Sequence, residues 1–127
     1  MTYINQEYNM DIIYVALGGA LGAVLRYTLS LIPVKTDFPV LTLITNCIGA
    51  AAIGFIAGMV SEESHNTLLF WKTGVCGGFT TFSTFSLEAV TLFEKKAFFL
   101  GGLYVVLSVG LCLIGVFCGK KMANLFL

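Results

Sequence analysis

The sequence predicts an all-α membrane protein with four transmembrane helices. Its mean hydropathy is +0.91 and only 11% of its 127 residues are charged, values that lie outside the range of soluble proteins. The apolar residues also fall into four segments, each near the roughly 20 residues that a helix needs to cross the hydrocarbon core. These segments span approximately residues 12–32, 38–60, 70–93 and 97–119. Since the connections are short, we expect residues 1–127 to form one transmembrane domain whose function lies within the bilayer.

The first two segments each contain one strongly polar residue that calls for an explanation. Arg26 lies near the end of the first segment, where it is either an interfacial anchor or a positive group at a pore vestibule that attracts anions. Asn46 lies in the second segment, which has no charged residue. Its amide either donates a hydrogen bond to an anion or ties two helices together. For each of these two residues, the sequence leaves both alternatives open.

The third segment contains a predicted break. Gly77 and Gly78 are followed by Thr80 and Thr81, and glycine is a poor helix former while threonine hydroxyls compete for backbone hydrogen bonds. Non-helical backbone at membrane depth is tolerated only where it is buried in protein or lines a cavity. If two chains crossed at their breaks, carbonyls from both could enclose one Na⁺. The alternative is a glycine pair that only permits close helix packing.

Aromatic and hydroxyl residues follow the predicted break. Phe82 and Phe85 are three residues apart and share a helix face. The positive edge of an aromatic ring can help to solvate an anion, although aromatic spacing in a membrane helix more often reflects packing. Ser83 lies to another side, while Thr84 and Glu88 are four residues apart and form a polar line. Glu88 either ends that polar track or acts as a proton-coupling carboxylate.

Neither the cysteines nor the glycines of the spans indicate catalysis. All four cysteines lie in predicted spans, which favours small buried apolar residues over disulfides or metal ligands. Three pairs of glycines at a spacing of four let helix backbones approach closely, within one chain or between two. The cysteines are Cys47, Cys76, Cys112 and Cys118, and the glycine pairs are Gly18/Gly22, Gly54/Gly58 and Gly115/Gly119.

The basic residues give almost no orientation signal. Four spans place both termini on one side of the membrane, so three basic residues lie on that side and four on or near the other. Because the positive-inside rule fixes orientation from such a bias, its near absence favours insertion in both orientations and an antiparallel homodimer. Counts on short loops are weak statistics, so one fixed orientation is the alternative. The two sets are Lys72, Lys120 and Lys121, and Arg26, Lys35, Lys95 and Lys96.

Three stretches together resemble the Fluc (CrcB) fluoride channels of microorganisms. They are "GGALGAVLRY" before and around Arg26, "TLITNCIGA" around Asn46, and "GGFTTFSTFSLE" from Gly77 to Glu88. The last is highly specific, and the resemblance covers essentially the whole chain. It implies a multi-pass protein of the cell membrane that forms an antiparallel, dual-topology homodimer in lipid, with two fluoride pores and no nucleic-acid partner.

The resemblance also implies roles for individual residues. The backbone carbonyls of Gly77 and Thr80 match the ligands of a structural Na⁺ at the dimer centre. Cys112 occupies a position where some relatives have serine. The residues that match the fluoride pathway are Arg26 at the vestibule, Asn46 as donor, the rings of Phe82 and Phe85, the polar track of Ser83, Thr84 and Glu88, and Tyr104 and Ser108 in the fourth helix.

The implied function is passive export of cytoplasmic fluoride, and no reaction is catalysed. The main alternative is a proton-coupled transporter of the small multidrug-resistance kind, which needs a carboxylate facing a substrate cavity. The carboxylate available within a span is Glu88, near a helix end, which favours the channel. A membrane assembly subunit without transport activity would explain the glycine pairs but not the spacing of the rings and of the polar line.

Overall fold

Four membrane helices follow one another along the chain in the computed structural model. The structure describes residues 2–61 and 63–127, with side chains from residue 8 onward. The first and second spans are the single helices α1 (Thr2–Ser30) and α2 (Val40–Met59), and the fourth is α5 (Phe98–Phe126). The third span consists of two helices, α3 (residues 65–79) and α4 (Phe82–Glu94). The predicted all-α fold of four helices with an interrupted third is therefore confirmed.

The outer ends of the chain are more helical than hydropathy indicates. Helix α1 begins at Thr2, before the apolar segment expected from about residue 12, and α5 continues to Phe126, beyond the expected end near residue 119. Hydropathy marks only the part of a helix that lies in hydrocarbon, whereas the backbone hydrogen bonds continue wherever the residues are good helix formers. In the part of the chain that the structure describes, three helical stretches are long and apolar enough to cross a membrane: Tyr8–Ser30, Val40–Met59 and Phe98–Phe126.

The interruption of the third span lies at Thr80 and Thr81. Both residues have extended backbone, with φ/ψ of −78°/156° and −149°/109°. Of the residues over which the break was predicted, Gly77 and Gly78 remain helical at the end of α3, while Thr80 and Thr81 form the break. The Thr81 hydroxyl caps α4 by accepting a hydrogen bond from the Thr84 amide at 3.2 Å. Before Gly77, residues Leu69–Cys76 form a π-helical segment, a feature frequent at functional sites.

Glycines bring α1 and α3 into backbone contact. A Cβ on Gly22 would lie 2.7 Å from the amide nitrogen of Phe79, and one on Gly18 would lie 3.0 Å from the Cα of Gly74. A Cβ on Gly78 would clash with the Gly19 carbonyl. Gly78, one of the glycine pair of the third span, is thus used for close packing against α1, whereas the space beside Gly77 is open.

Helices α2 and α5 meet in the same way. A Cβ on Gly54 would lie 2.9 Å from the Cα of Val116, and one on Gly58 would lie 2.5 Å from the Cβ of Ala123. On the opposite side, Gly119 packs against the backbone of α2. The glycine pairs that the sequence left unassigned therefore hold helices of one chain together. Helix α4 joins the two helix pairs through a small core with α5: Phe85, Ala89, Leu92 and Tyr104.

Candidate functional site

A groove of about 410 Å³ opens on one face of the protein, between α2, the break and α5. Its lining is mainly apolar, with a few polar groups from the break and the neighbouring helices. Such a surface, apolar with a small number of placed polar groups, is typical of a site that holds a small ligand or ion. Six of the residues predicted for the fluoride pathway or the cation site line it: Asn46, Gly77, Thr80, Phe82, Phe85 and Ser108.

Asn46 holds the break in place. Its Nδ2 donates to the Thr81 carbonyl at 3.0 Å, and its Oδ1 accepts from the Thr81 amide at 2.8 Å. One side chain thus pairs with both backbone groups of the most extended residue in the span. An asparagine amide has two N–H donors, so one N–H remains beyond the bond to Thr81. Asn46 therefore ties helices together and still has a donor at the groove.

The carbonyls of Gly77 and Thr80 lose their usual helical donors at the break. In a continuous helix they would accept from the amides of Thr81 and Thr84. The Thr81 amide instead donates to Asn46, and the Thr84 amide donates to the Thr81 hydroxyl. Both residues line the groove, and the space beyond the Gly77 Cα is open. At the point where a cation site was predicted, two backbone carbonyls are therefore left without the amide donors that a continuous helix would provide.

Phe82 and Phe85 line the groove in different environments. Their ring centroids are 5.4 Å apart, with an angle of 48° between the planes. Phe82 is 77% exposed, whereas Phe85 is 8% exposed and packs against the ring of Tyr104 at 5.2 Å. Tyr104 in turn meets Phe38 edge to face. Phe85 therefore belongs to the core as well as the groove, while the Phe82 ring is held by few contacts within the chain.

Ser108 lines the far wall of the groove, and its hydroxyl is buried. The side chain is 6% exposed, and its Oγ has no hydrogen-bond partner within the part of the chain that the structure describes. A buried hydroxyl without a partner is costly, by about 1–3 kcal/mol in proteins. A ligand in the groove would remove that cost only if it reached this buried oxygen.

Glu88 lies outside the groove, where two donors hold its carboxylate. The Tyr104 hydroxyl donates to Oε2 at 2.6 Å and the Thr42 hydroxyl donates to Oε1 at 2.9 Å. Glu88 and Thr42 border a separate cavity of about 180 Å³ at the end of the span. The sequence analysis missed Thr42. Its spacing of four residues from Asn46, on one face of a helix without charges, was the signal that could have identified it.

Arg26 reaches the break from α1. Its Nε donates to the Gly78 carbonyl at 3.2 Å. The guanidinium group borders a polar cavity of about 120 Å³, which Thr42, Thr81 and Thr84 also line. Because Thr81 borders both this cavity and the groove, a positive group and the groove lie on two sides of the same extended peptide.

Comparison with known proteins assigns the chain to a family. The family model of CrcB-like protein, Camphor Resistance (CrcB), matches residues 13–120. The chain belongs to the CrcB family. Proteins named fluoride-specific ion channel FluC are similar to it over nearly their whole length. The relative from Roseobacter denitrificans is 47% identical over 120 residues, covering 90% of this chain and 95% of the relative. The relative from Methanococcus maripaludis is 42% identical over 119 residues, covering 91% and 97%.

The structure groups the residues predicted for a CrcB pathway into three sets. The groove contains the rings, Asn46 and Ser108; the polar cavity contains Arg26 and Thr84; and Glu88 with Tyr104 forms the third set. Ser83 is exposed, with its hydroxyl 3.4 Å from that of Thr81. Within residues 2–61 and 63–127, His, Cys, Asp and Glu side chains form no group of three or more that could hold a metal. A cation site at the break would therefore depend on backbone oxygens.

Proposed function

We propose that this member of the CrcB family is a fluoride-selective channel that exports cytoplasmic fluoride passively across the cell membrane. The names of its relatives support the choice of ion, since they are called fluoride-specific ion channels. The observation that carries the proposal is the groove, in which two phenylalanine rings and two polar side chains surround one small apolar space.

The chemistry of the groove suits a small, strongly hydrated anion. Fluoride leaves water only where close donors replace its hydration shell. The Ser108 hydroxyl is buried without a partner in the described part of the chain, and Asn46 retains one N–H beyond its bond to Thr81. The positive edges of Phe82 and Phe85 would add to these donors. If the passage is narrow, it disfavours chloride because chloride is larger than fluoride.

The conducting form that we propose is an antiparallel homodimer. The groove is an open wall rather than a closed passage, so a second copy is needed to complete it. Helices of one chain are already packed through their glycines, which leaves the groove as the face for the partner. The near balance of basic residues, three against four, favours insertion of the same chain in both orientations. Two copies related by an axis in the membrane plane would bring their breaks together.

A structural Na⁺ fits the break. Gly77 and Thr80 have carbonyls without their usual helical donors, and both line the face where the second copy would lie. Carbonyl oxygens are the ligands that hard cations such as Na⁺ prefer. When bound, the ion would supply a fixed positive charge that joins the two breaks. Asn46 and the Thr81 hydroxyl accept hydrogen bonds from the amides that would otherwise donate to these two carbonyls. They thereby keep the carbonyls available for the ion.

The hydrogen bonds of Glu88 favour a channel over a proton-coupled transporter. A coupling carboxylate must face the substrate cavity and exchange its proton there. Glu88 lies outside the groove lining, and both of its oxygens accept hydrogen bonds from neighbouring hydroxyls. This arrangement suits a fixed polar group better than a carboxylate that is loaded and unloaded with each transport cycle.

Fluoride efflux from liposomes tests the proposal. Purified protein is reconstituted in vesicles loaded with potassium fluoride, and a K⁺ ionophore sets the electrical driving force. We expect fluoride efflux that persists when a protonophore collapses the proton gradient, with chloride efflux close to that of empty vesicles. Efflux that requires the proton gradient would contradict the channel. Protease cleavage of a C-terminal tag from both membrane faces checks the dual topology, and cleavage from one face alone would refute it.

A further inference from the structure

We propose that Cys47 and Cys112 form a two-coordinate site for a soft monovalent metal ion of the Cu⁺ class, with Ag⁺ as its redox-inert probe. The site goes beyond the proposed fluoride channel and does not depend on it.

Two facing helices bring the thiols together. Cys112 in α5 lies beside Cys47 in α2, close enough for the two side chains to interact. The next turn of α5 confirms the register, because a Cβ on Gly115 would lie 3.3 Å from the Cys47 carbonyl. Both cysteines are free and partly accessible. Since Gly115 and Gly119 let α5 approach α2 closely, the thiol pair lies in the contact between these two helices.

A route for a metal ion leads to the pair. Cys112 lines the groove, next to Ser108 one turn earlier in α5. Cys118, by contrast, is exposed near the end of α5, and Cys76, although it also lines the groove, is 3% exposed in α3. The pair of Cys47 and Cys112 therefore combines two neighbouring thiols with access from the groove at Cys112.

The number of ligands selects the kind of metal. Soft thiolate sulfur favours Cu⁺, and a d¹⁰ monovalent ion is satisfied by two ligands in line. Zn²⁺ takes four ligands in structural sites, and within the described residues no third His, Cys, Asp or Glu side chain joins the pair. The two thiols are thus sufficient for Cu⁺ or Ag⁺ and insufficient for Zn²⁺.

The charge balance suits a site inside a membrane. One S–H bond breaks and its proton leaves to water, the metal ion binds to that sulfur, and the second thiol donates a lone pair to the metal. No electron is transferred. The ion replaces one proton, so the complex is as neutral as the two thiols were. This matters because an unpaired charge is expensive in a medium of low polarity.

Metal binding can be measured without fluoride. Purified protein in chloride-free detergent solution is titrated with silver nitrate, and cysteines that remain reactive are labelled with a maleimide and located by mass spectrometry. We expect one Ag⁺ per chain to protect Cys47 and Cys112 together, with Cys118 still labelled. Zn²⁺ at the same concentration should protect neither. Because the readout is thiol labelling, it is independent of whether the protein conducts fluoride.

Single cysteine-to-serine variants test whether both thiols bind the metal ion. Cys112→Ser and Cys47→Ser each remove one sulfur with little change in size, so size-exclusion profiles should match that of the unaltered protein. We expect each to weaken Ag⁺ binding by more than about 100-fold, since even partners outside the coordination sphere change metal affinity by roughly 10- to 100-fold. The matched control, Cys118→Ser, should bind Ag⁺ as tightly as the unaltered protein. Unchanged affinity in either single variant, or equal loss in the control, would overturn the two-thiol site.

Discussion

Asn46 pairs with both backbone groups of Thr81, at 3.0 Å to its carbonyl and 2.8 Å from its amide. The two residues are 35 positions apart and belong to different spans. The side-chain amide of Asn46 thus supplies the partners that helical neighbours would supply in an unbroken span. In this pair, Thr81 lies directly before α4, the helix that carries Phe82 and Phe85.

Removal of this amide should destabilise the protein strongly. In Asn46→Leu the amide and carbonyl of Thr81 both lose their partner at membrane depth, at a cost of about 1–3 kcal/mol for each group. We expect a clearly lower thermal unfolding midpoint in detergent. The midpoint is measured from the loss of the folded peak in size-exclusion chromatography after heating. The matched control is Asn124→Leu, at an exposed position near the end of α5, which should leave the midpoint almost unchanged. Equal midpoints for the two variants would mean that the break is held by other contacts.

The two rings should separate conduction from stability. Phe82 is 77% exposed and Phe85 is 8% exposed against Tyr104. Phe82→Ile should therefore depress fluoride efflux while changing the free energy of unfolding by no more than about 0.5 kcal/mol, as is usual for surface substitutions.

Phe85→Ile should depress efflux and also lower the unfolding midpoint, because it alters a packed core contact. Phe99→Ile serves as the control at a ring that is 80% exposed and outside the groove. Normal efflux in both groove variants would remove the rings from the proposed pathway.

The contacts of Glu88 should be energetically coupled. Tyr104→Phe removes the 2.6 Å bond and Thr42→Val removes the 2.9 Å bond, and a hydrogen bond to a charged group contributes about 1.5–3 kcal/mol. If both act through the carboxylate, each substitution should cost less once Glu88 is replaced by Gln. A double-mutant cycle on thermal or denaturant unfolding measures this coupling. Glu94→Gln, at an exposed helix end, is the control, and additive costs in the cycle would contradict the cluster.

The fold was predictable because hydropathy and length alone identify membrane helices. Four apolar segments gave four spans, and polar residues within the third gave its interruption. The helix ends were predicted less well, since α1 and α5 extend beyond the apolar residues. The break was predicted over the glycine pair and the threonines that follow it, and the structure interrupts the helix at Thr80 and Thr81, while Gly78 is used for a close contact with α1. Only the three-dimensional structure shows that contact.

The sequence predicted the individual residues of the candidate site more readily than it predicted which of them lie together. The rings, Asn46 and Ser108 do line one groove, yet Glu88 lies elsewhere with Thr42, which the sequence analysis overlooked. The pairing of Asn46 with Thr81 and the proximity of Cys47 to Cys112 join different spans. Such contacts depend on how the helices pack, and periodicity within one helix carries no information about them.

Gly77 and Gly78 are neighbours, yet their replacement by alanine should affect the packing of α1 on α3 differently. A Cβ on Gly78 would meet the backbone of Gly19, so Gly78→Ala should disrupt the packing of α1 on α3 and lower the unfolding midpoint. A Cβ on Gly77 meets no atom of the described chain within 4 Å, and alanine is the better helix former by about 1 kcal/mol. Gly77→Ala should therefore leave the fold of the single chain intact.

If the groove face meets a second copy, the added methyl group of Gly77→Ala lies between the two breaks. We then expect a shift from dimer to monomer by size-exclusion chromatography with light scattering, and loss of any stabilisation that Na⁺ gives over K⁺ in the unaltered protein. Gly102→Ala, at another helical glycine with open space around it, is the matched control and should remain dimeric. A Gly77→Ala protein that dimerises normally and responds to Na⁺ as before would place the dimer contact and the cation away from the break, because a methyl group at that position cannot be accommodated between two closely crossing backbones.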